Sequence, residues 1–189
     1  MDKVTKGSQP WISPMPALLV GANVEGKPTF MTVAWGGIAN GEPPMISLAI
    51  RPHRYTLLGI RENSQFSVNV PSVAQIREVD YCGVRSGDKT NKVEKCGFDV
   101  FYGTLENAPL IKQCPINLEC TVKQIIELDS HRLVIGVVVE THVSEDCLGD
   151  DGTIDFVKTD PIVFLDNPTG KYFHLGTFAA KAFSVGLEL

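Results

Sequence analysis

Two short runs of this sequence carry residue types that bind anions. Residues 31–37 (MTVAWGG) have the pattern of a buried strand that ends in small side chains, which leave main-chain N–H groups uncovered. Residues 45–56 (MISLAIRPHRYT) have the pattern of a second apolar strand that ends in a basic segment. Main-chain N–H groups and guanidinium groups both bind phosphate well. Together the runs indicate a site for a planar ligand with a phosphate tail, although either run alone could be an ordinary strand beside a basic turn.

The distribution of charge is typical of a small anion site rather than a nucleic-acid surface. The chain has 17 Lys and Arg against 22 Asp and Glu, a net charge of −5, so we expect no nucleic-acid partner. Residues 51–95 nevertheless hold eight basic and five acidic residues, a local charge of +3. Such an excess fits a compact anion, and a solvated charged face is the alternative explanation.

Length and composition predict one globular domain over residues 1–189. Neither a membrane-spanning apolar stretch nor an N-terminal signal peptide is recognisable, so we expect a cytoplasmic protein that contacts no membrane. The cysteines form no C-x-x-C pair and are expected to be reduced structural thiols, with a thiol beside a cofactor as a second interpretation. They are Cys82, Cys96, Cys114, Cys120 and Cys147.

Short strands joined by tight turns position the two runs. The predicted strands are residues 17–24, 30–35, 45–50, 65–70, 116–123, 131–143, 162–165 and 171–175. The first two form a hairpin, and the last two read as closing strands. Short helices are predicted at residues 56–63 with Thr56 as N-cap, at 72–83 behind a capping box, and at 89–95. This mixture favours an antiparallel β-barrel over a doubly wound α/β fold.

Two of the predicted strands differ in the pattern of their faces. Residues 116–123 alternate between apolar and polar side chains, which predicts one dry and one solvated face. Residues 133–139 are apolar on both faces, so both faces need cover. The barrel interior would cover one face, and another element or a second subunit would cover the other.

The order of these pieces is similar to that of the flavin reductase-like family, and within it to the flavoredoxins. The resemblance runs from about residue 14 to 183, and the matching segments follow in chain order. They are residues 16–20 (PALLV), 31–35 (MTVAW), 43–44 (PP), 49–51 (AIR), 54–56 (RYT), 66–70 (FSVNV), 82–83 (CG), 86–87 (SG) with Lys92, 118–120 (LEC), His131 with 133–136 (LVIG), and 174–176 (HLG). The resemblance implies a mainly β chain with short helices, folded as an FMN-binding split β-barrel of antiparallel, Greek-key type and assembled as a homodimer.

The resemblance also implies which residues would hold FMN. One wall would be Thr32, Val33, Ala34 and Trp35, and the neighbouring wall would be Ala49, Ile50 and Arg51. The phosphate or ribityl chain would meet Arg54, Tyr55 and Thr56, with Ser86, Gly87 and Lys92 closing the anion site. A helix that begins at Thr56 would direct its positive end at the phosphate. Trp35 could cover the flavin or simply fill the core.

No side chain is needed as nucleophile or acid–base catalyst, because the flavin carries the chemistry. His131 matches a position where some family members have a histidine associated with nicotinamide, and a solvent-facing histidine is the alternative. His174 would lie near the flavin if the C-terminal strand closes the site. The acidic residues 145–151 do not match the spacing of a calcium loop, so no metal is expected.

These observations predict an FMN-dependent redox protein. The first expectation is an NAD(P)H-dependent, flavin reductase-like oxidoreductase. The alternative is a flavoredoxin-type electron carrier that keeps FMN tightly bound and exchanges electrons with proteins rather than NAD(P)H. In both cases the partners are a small-molecule or protein donor and acceptor. A barrel that has lost its flavin and serves only as a binding module is a third interpretation.

Overall fold

The computed structural model describes residues 1–187, in which antiparallel strands predominate over helices. The strands are β1 (Met15–Pro16), β2 (Leu18–Val24), β3 (Lys27–Val33), β4 (Gly36–Gly41), β5 (Pro44–Ile50), β6 (Gln65–Val70), β7 (Val100–Phe101), β8 (Leu110–Ile111), β9 (Ile116–Glu127), β10 (Arg132–Val143), β11 (Val163–Leu165) and β12 (Lys171–Phe173). The helices are α1 (Thr56–Asn63), α2 (Ile76–Val84) and α3 (Lys92–Cys96), and single 3-10 turns cover Val73–Gln75 and Glu145–Cys147. In the part of the chain described, no helix is long and apolar enough to cross a membrane.

The main sheet has seven strands in the order β3-β2-β6-β9-β10-β5-β4. All of its neighbouring strands are antiparallel, and several are distant in sequence, as in a Greek-key arrangement. The two edge strands, β3 and β4, are separated in sequence only by Ala34 and Trp35. Because so short a connection joins opposite edges, the sheet must curl until the edges meet. The prediction of a mainly β, antiparallel barrel is confirmed.

The predicted hairpin of β2 and β3 has a two-residue turn. Glu25 and Gly26 both have positive φ, 50° and 74°, which suits the tight hairpin turns that match strand twist. Strand β3 therefore begins at Lys27, three residues earlier than expected, and ends at Val33. The two residues after it, Ala34 and Trp35, belong to the connection between the sheet edges rather than to a strand.

Apolar side chains from strands all around the curled sheet fill the interior of the barrel, and helix α1 packs against the same cluster. The largest buried members are Met31, Leu48, Ile50, Leu57, Ile60 and Phe66. A second buried cluster lies between the barrel and α2 and includes Leu19, Phe30, Val79, Cys82 and Phe98. Each such side chain contributes roughly 1.5–3 kcal/mol through removal from water. These two cores hold β3 and β5 in place on either side of the edge connection.

Helix α1 lies so close to β2 that it requires a glycine. A Cβ at Gly59 would overlap the main-chain carbonyl oxygen of Asn23. Gly-to-Ala in a helix normally stabilises by about 1 kcal/mol. Here we expect Gly59→Ala to destabilise by about 2 kcal/mol or more, because a backbone atom must move.

Urea unfolding followed by circular dichroism measures this change. Gly41→Ala is the control, since no heavy atom lies within 4 Å of a Cβ there. A Gly59→Ala variant as stable as the parent would show that α1 can shift away from β2 without cost.

The predicted helix over residues 56–63 is confirmed as α1, but its predicted N-cap is wrong by one residue and the predicted start of α3 is wrong by three. Tyr55, not Thr56, is the N-cap of α1, because the first turn closes early through a hydrogen bond from the Leu58 N–H to the Tyr55 carbonyl (3.0 Å). Thr56 is the first helical residue and is buried. Helix α3 begins at Lys92 rather than at residue 89, because the Asn91 side chain accepts from the Glu94 N–H (3.3 Å) and caps the helix there.

The predicted solvated face of residues 116–123 is wrong for its first half, although Lys123 at its end is exposed. Asn117 and Glu119 are both buried, although they alternate with apolar residues. The Asn117 amide donates to Asn69 (2.7 Å), and the Glu119 carboxylate accepts hydrogen bonds from the loop that begins at Gly103. The periodicity of a strand separates its polar face from its apolar face. It does not show whether the polar side chains face water or buried hydrogen-bond partners.

The predicted closing strands do not join the barrel sheet. Strands β11 and β12 pair with each other and, through β11, with β1 in a separate three-stranded sheet. Strand β10 is present as predicted from Arg132, and its two faces differ. Val134 and Gly136 are buried, whereas Leu133, Ile135 and Val137 on the opposite face are only partly buried.

Candidate functional site

A cavity of about 370 Å³ opens where the two edges of the sheet meet. Its size falls in the range of small-molecule and cofactor sites. Strands β3 and β5, the turn after β9, the end of α2 and the hairpin of β11 and β12 surround it. The lining residues are Ala17, Met31, Thr32, Val33, Ala34, Trp35, Ala49, Ile50, Arg51, Arg54, Gly83, His131, Phe164, Asp166, Asn167 and Tyr172.

The end of β3 forms one wall and presents main chain as well as side chains. Among the strands of residues 1–187, β3 pairs only with β2, so its other edge has no strand partner, although the Phe30 carbonyl on β3 accepts from Lys92 (2.8 Å). The Thr32 hydroxyl donates to the Val79 carbonyl and ties this edge to α2. The Trp35 carbonyl accepts from the Ala49 N–H (2.8 Å), which fixes the wall against β5.

Two arginines follow β5 at the mouth of the cavity. The Arg54 N–H donates to the Arg51 carbonyl (3.1 Å), so a tight turn brings the two residues close together. Arg54 is half-buried, and its guanidinium donates to the Gly83 carbonyl (2.9 Å). Within residues 1–187 neither arginine forms an ion pair with a carboxylate. Burial and then the positive charge of the nearby Arg51 lower the pKa of Arg54.

A pair of stacked aromatic rings forms another part of the cavity lining. The rings of Trp35 and His131 are stacked, with centroids 4.8 Å apart and planes 21° apart. The indole Nε1 donates to an Asp166 carboxylate oxygen (3.0 Å), and His131 Nδ1 lies 2.8 Å from the Ser130 hydroxyl. Burial and then the positive charge of Arg51 lower the pKa of His131, which keeps its imidazole neutral at neutral pH.

The small sheet covers the cavity from outside the barrel. Phe164 and Tyr172 face each other with ring centroids 5.2 Å apart, and both line the cavity. The Tyr172 hydroxyl donates to Asp80 on α2 (3.2 Å). Burial and the nearby Asp80 charge raise the pKa of Tyr172 to about 12, so the phenol stays protonated and donates this hydrogen bond.

The structure brings together eight of the thirteen predicted cofactor residues, and His131 with them. The eight that line the cavity are Thr32, Val33, Ala34, Trp35, Ala49, Ile50, Arg51 and Arg54. The other five lie elsewhere. Tyr55, Gly87 and Lys92 line a neighbouring groove, Ser86 lines a surface depression at the end of α2, and Thr56 is buried as the first residue of α1. His174 lies outside the cavity, exposed and 3.1 Å from Asp160.

Lys92 contacts protein carbonyls rather than the cavity. Its side chain is buried, and the ammonium donates to the carbonyls of Phe30 (2.8 Å) and Cys82 (2.9 Å). Burial lowers the pKa of Lys92. The ammonium therefore ties β3 to the end of α2, and whether it also contacts a phosphate stays a prediction.

Several lining residues were not expected from the sequence. Phe164, Asp166 and Asn167 come from β11 and its turn, more than a hundred residues after β3. The prediction of strands over 162–165 and 171–175 is the only signal that could have suggested them. Gly83 belongs to the end of α2, and its carbonyl is the partner of Arg54.

The residue set fits a planar ligand with an anionic tail. The cavity combines apolar and aromatic walls with an uncovered strand edge and two cations that lack a carboxylate partner within residues 1–187. The same range contains no cluster of three His, Cys, Asp or Glu residues that could hold a metal ion. The five cysteines are free thiols, and burial raises the pKa of Cys114 and Cys120 to about 12.

Comparison with known proteins identifies the family of this chain. The Flavin reductase like domain model matches residues 12–167. Flavoredoxin from Methanosarcina acetivorans has 36% sequence identity and a TM-score of 0.94, and the match covers 100% of this chain and 99% of that one. Flavoredoxin of Desulfovibrio vulgaris has 34% identity and a TM-score of 0.90, over 98% and 100% of the two chains.

A third solved structure bears on the fold. A putative flavin reductase with a split barrel domain from Shewanella frigidimarina has 19% identity and a TM-score of 0.79, over 90% of this chain and 86% of that one. The predicted split barrel is thereby confirmed, and the relatives support a flavin-binding redox function. Since the family model spans most of the sequence, the chain belongs to the flavin reductase-like family.

Proposed function

We propose that the cavity between the sheet edges binds FMN and that the chain is an FMN-dependent redox protein with a single domain. The observation that carries the proposal is the pair Arg51 and Arg54, two adjacent cations at the cavity mouth without a carboxylate partner among residues 1–187. The phosphate of FMN carries nearly two negative charges near neutral pH. It would neutralise both guanidinium groups through charge-assisted hydrogen bonds.

The other lining residues would hold the ring system. Residues 32–35 offer main-chain groups at the free edge of β3, and Ala49 with Ile50 offers an apolar surface opposite. Phe164 and Tyr172 cover the cavity and would exclude water from it. Bound FMN supplies the redox chemistry, accepting either a hydride or single electrons, while the chain binds and orients it.

We infer that the chain works as a flavoredoxin-type electron carrier. This role is supported by the two flavoredoxin structures, which resemble the entire chain at 36% and 34% identity. The NAD(P)H-dependent flavin reductase, our first expectation from the sequence, remains the second candidate because of the family to which the chain belongs. The two roles differ in whether NAD(P)H reduces the bound flavin.

The experiment uses purified protein freed of flavin and then titrated with FMN. We expect saturable binding of about one FMN per chain, seen as a change in the flavin absorption spectrum. Anaerobic mixing with NADH, NADPH, or a reduced iron–sulfur protein then separates the roles. Rapid reduction by the iron–sulfur protein and slow reduction by both nucleotides supports the carrier, whereas fast turnover with either nucleotide supports the reductase. Failure to bind FMN contradicts both.

We also propose that two chains pair through the outer face of β10. Leu133, Ile135 and Val137 form an apolar row there that is only partly buried in one chain. Ile135→Arg should convert a dimer into a monomer, because a charge placed in an apolar interface loses its water without gaining a partner.

Sedimentation equilibrium measures the molar mass of the parent and of this variant. Val157→Arg, at an exposed apolar residue outside this row, is the control and should leave the dimer intact.

A further inference from the structure

Three segments that are distant in sequence meet through side chains at the mouth of the cavity. Trp35 lies between β3 and β4, His131 lies before β10, and Asp166 follows β11. Trp35 stacks on His131 and donates its indole N–H to Asp166. We refer to these three residues as the clasp. All of them line the cavity, and Trp35 retains 39% exposure, which places the indole at the boundary with solvent.

The clasp is held from several sides. The carbonyl of Trp35 accepts the Ala49 N–H, which fixes its main chain, while the ring is held by the stack on His131 and by the hydrogen bond to Asp166. Asp166 is itself held in the turn after β11, where its side chain accepts the Asn167 N–H (2.7 Å) and its carbonyl accepts the Thr169 N–H (2.9 Å). The fixed turn thus holds the indole against the imidazole.

We propose that the clasp is a gate that determines which electron donors reach a flavin in this cavity, and that it excludes planar ring donors such as nicotinamide. This inference rests on the proposed binding of FMN. Hydride transfer needs the reacting atoms about 3–3.5 Å apart, so a nicotinamide must lie directly on the flavin ring. The stacked indole and imidazole line the cavity at its mouth, and in this proposal they close the approach that such a donor would need. A redox protein needs no such contact, because electrons can tunnel from its surface.

The gate has a defined way to open. The indole can leave His131 by rotation of the Trp35 side chain once the hydrogen bond to Asp166 is lost, and neither step disturbs the hydrogen bond between Trp35 and Ala49. The indole of Trp35 packs on the face of the His131 imidazole. In this proposal His131 therefore acts as a stacking surface rather than as an acid or base. The clasp is therefore a specificity device for the proposed redox site, and its residues take no part in electron transfer themselves.

The first test needs no flavin. The chain has two tryptophans, so Trp11→Phe leaves Trp35 as the one fluorescent indole. In that background we expect Asp166→Ala to raise the acrylamide quenching constant of Trp35 about twofold or more, because the ring loses its anchor and populates open positions. An unchanged quenching constant would overturn the clasp.

The second test uses protein loaded with FMN. We expect Asp166→Ala, which releases the indole and leaves Trp35 itself in place, to speed flavin reduction by NADH or NADPH about tenfold or more, while reduction by dithionite, which needs no stacking, stays within about twofold. Asp166→Asn keeps an oxygen that can accept the indole N–H and should stay close to the parent. An Asp166→Ala protein that binds FMN fully and gains no rate with NADH or NADPH would overturn the gate. Failure of the parent chain to bind FMN would overturn the proposed function instead, and the fluorescence test distinguishes the two failures.

Discussion

Replacing both Arg51 and Arg54 with alanine is expected to weaken FMN binding about a thousandfold. This is the loss that follows from removing two charge-assisted hydrogen bonds of about 2 kcal/mol each. Arg54 is half-buried, so an anion bound beside it is only partly screened by water, and the charge of the exposed Arg51 acts on the same place. Titration of the flavin-free variant with FMN, followed by flavin fluorescence, measures the dissociation constant.

The control for this variant removes the same net charge elsewhere. Lys112 and Lys123 are both exposed and lie outside the cavity, so Lys112→Ala with Lys123→Ala should change the affinity by less than about threefold. If the arginine variant binds FMN as tightly as the parent, the phosphate lies elsewhere. The neighbouring groove lined by Tyr55, Gly87 and Lys92 would then be the first place to examine.

Glu119→Gln is expected to destabilise the fold by about 3 kcal/mol, because it removes one partner of a buried charged cluster. The Glu119 carboxylate is completely buried on β9. It accepts hydrogen bonds from the Thr104 N–H (3.1 Å), the Leu105 N–H (2.6 Å) and the imidazole of His142 (2.7 Å). A glutamine amide group cannot accept with both ends, so at least one of these donors loses its partner. Equilibrium unfolding in urea measures the difference.

The same cluster predicts how this stability depends on pH. Burial raises the pKa of Glu119, but the hydrogen bonds from His142, Leu105 and Thr104 outweigh it and hold the pKa below the usual glutamate value. A lowered pKa in the folded state means that the stabilisation is present above the ordinary glutamate pKa and is lost as pH falls through the folded value. The difference between parent and Glu119→Gln should therefore shrink on acidification.

Glu140→Gln is the matched control for both measurements. Glu140 pairs with Glu119 across β9 and β10 in the sheet register, but it is exposed. Its replacement should change the free energy of unfolding by less than about 0.5 kcal/mol at any pH. If both substitutions changed the free energy of unfolding equally, the buried hydrogen bonds of Glu119 would not stabilise the fold.

The arrangement of the two anion-binding runs could be predicted from the sequence because it depends on local patterns. Apolar runs that end in glycine or in a basic turn predicted strands over 30–35 and 45–50, and the barrel brings their ends to one cavity. The capping box at Ser72 is also present, where the Gln75 side chain accepts the Ser72 N–H (3.1 Å). These features depend on residues close together in the chain.

The remaining features depend on contacts between distant segments. Asp166 and Tyr172 reach the cavity only because β11 pairs with β1, a two-residue strand too short to recognise as a pattern. Glu119 was expected on a solvated face because charged side chains are rarely buried, and Lys92 was expected in the anion site; only their hydrogen-bond partners explain why both are buried. The rotamer that stacks Trp35 on His131 likewise leaves no trace in sequence spacing.

A crystal structure of the protein grown with FMN tests the central claim most directly. We expect the isoalloxazine in the cavity between β3 and β5, beside residues 32–35, with its phosphate hydrogen-bonded to Arg51 or Arg54. A cavity closed by the chain's own side chains, or a flavin whose phosphate lies in the groove beside Lys92 and away from both arginines, would contradict it.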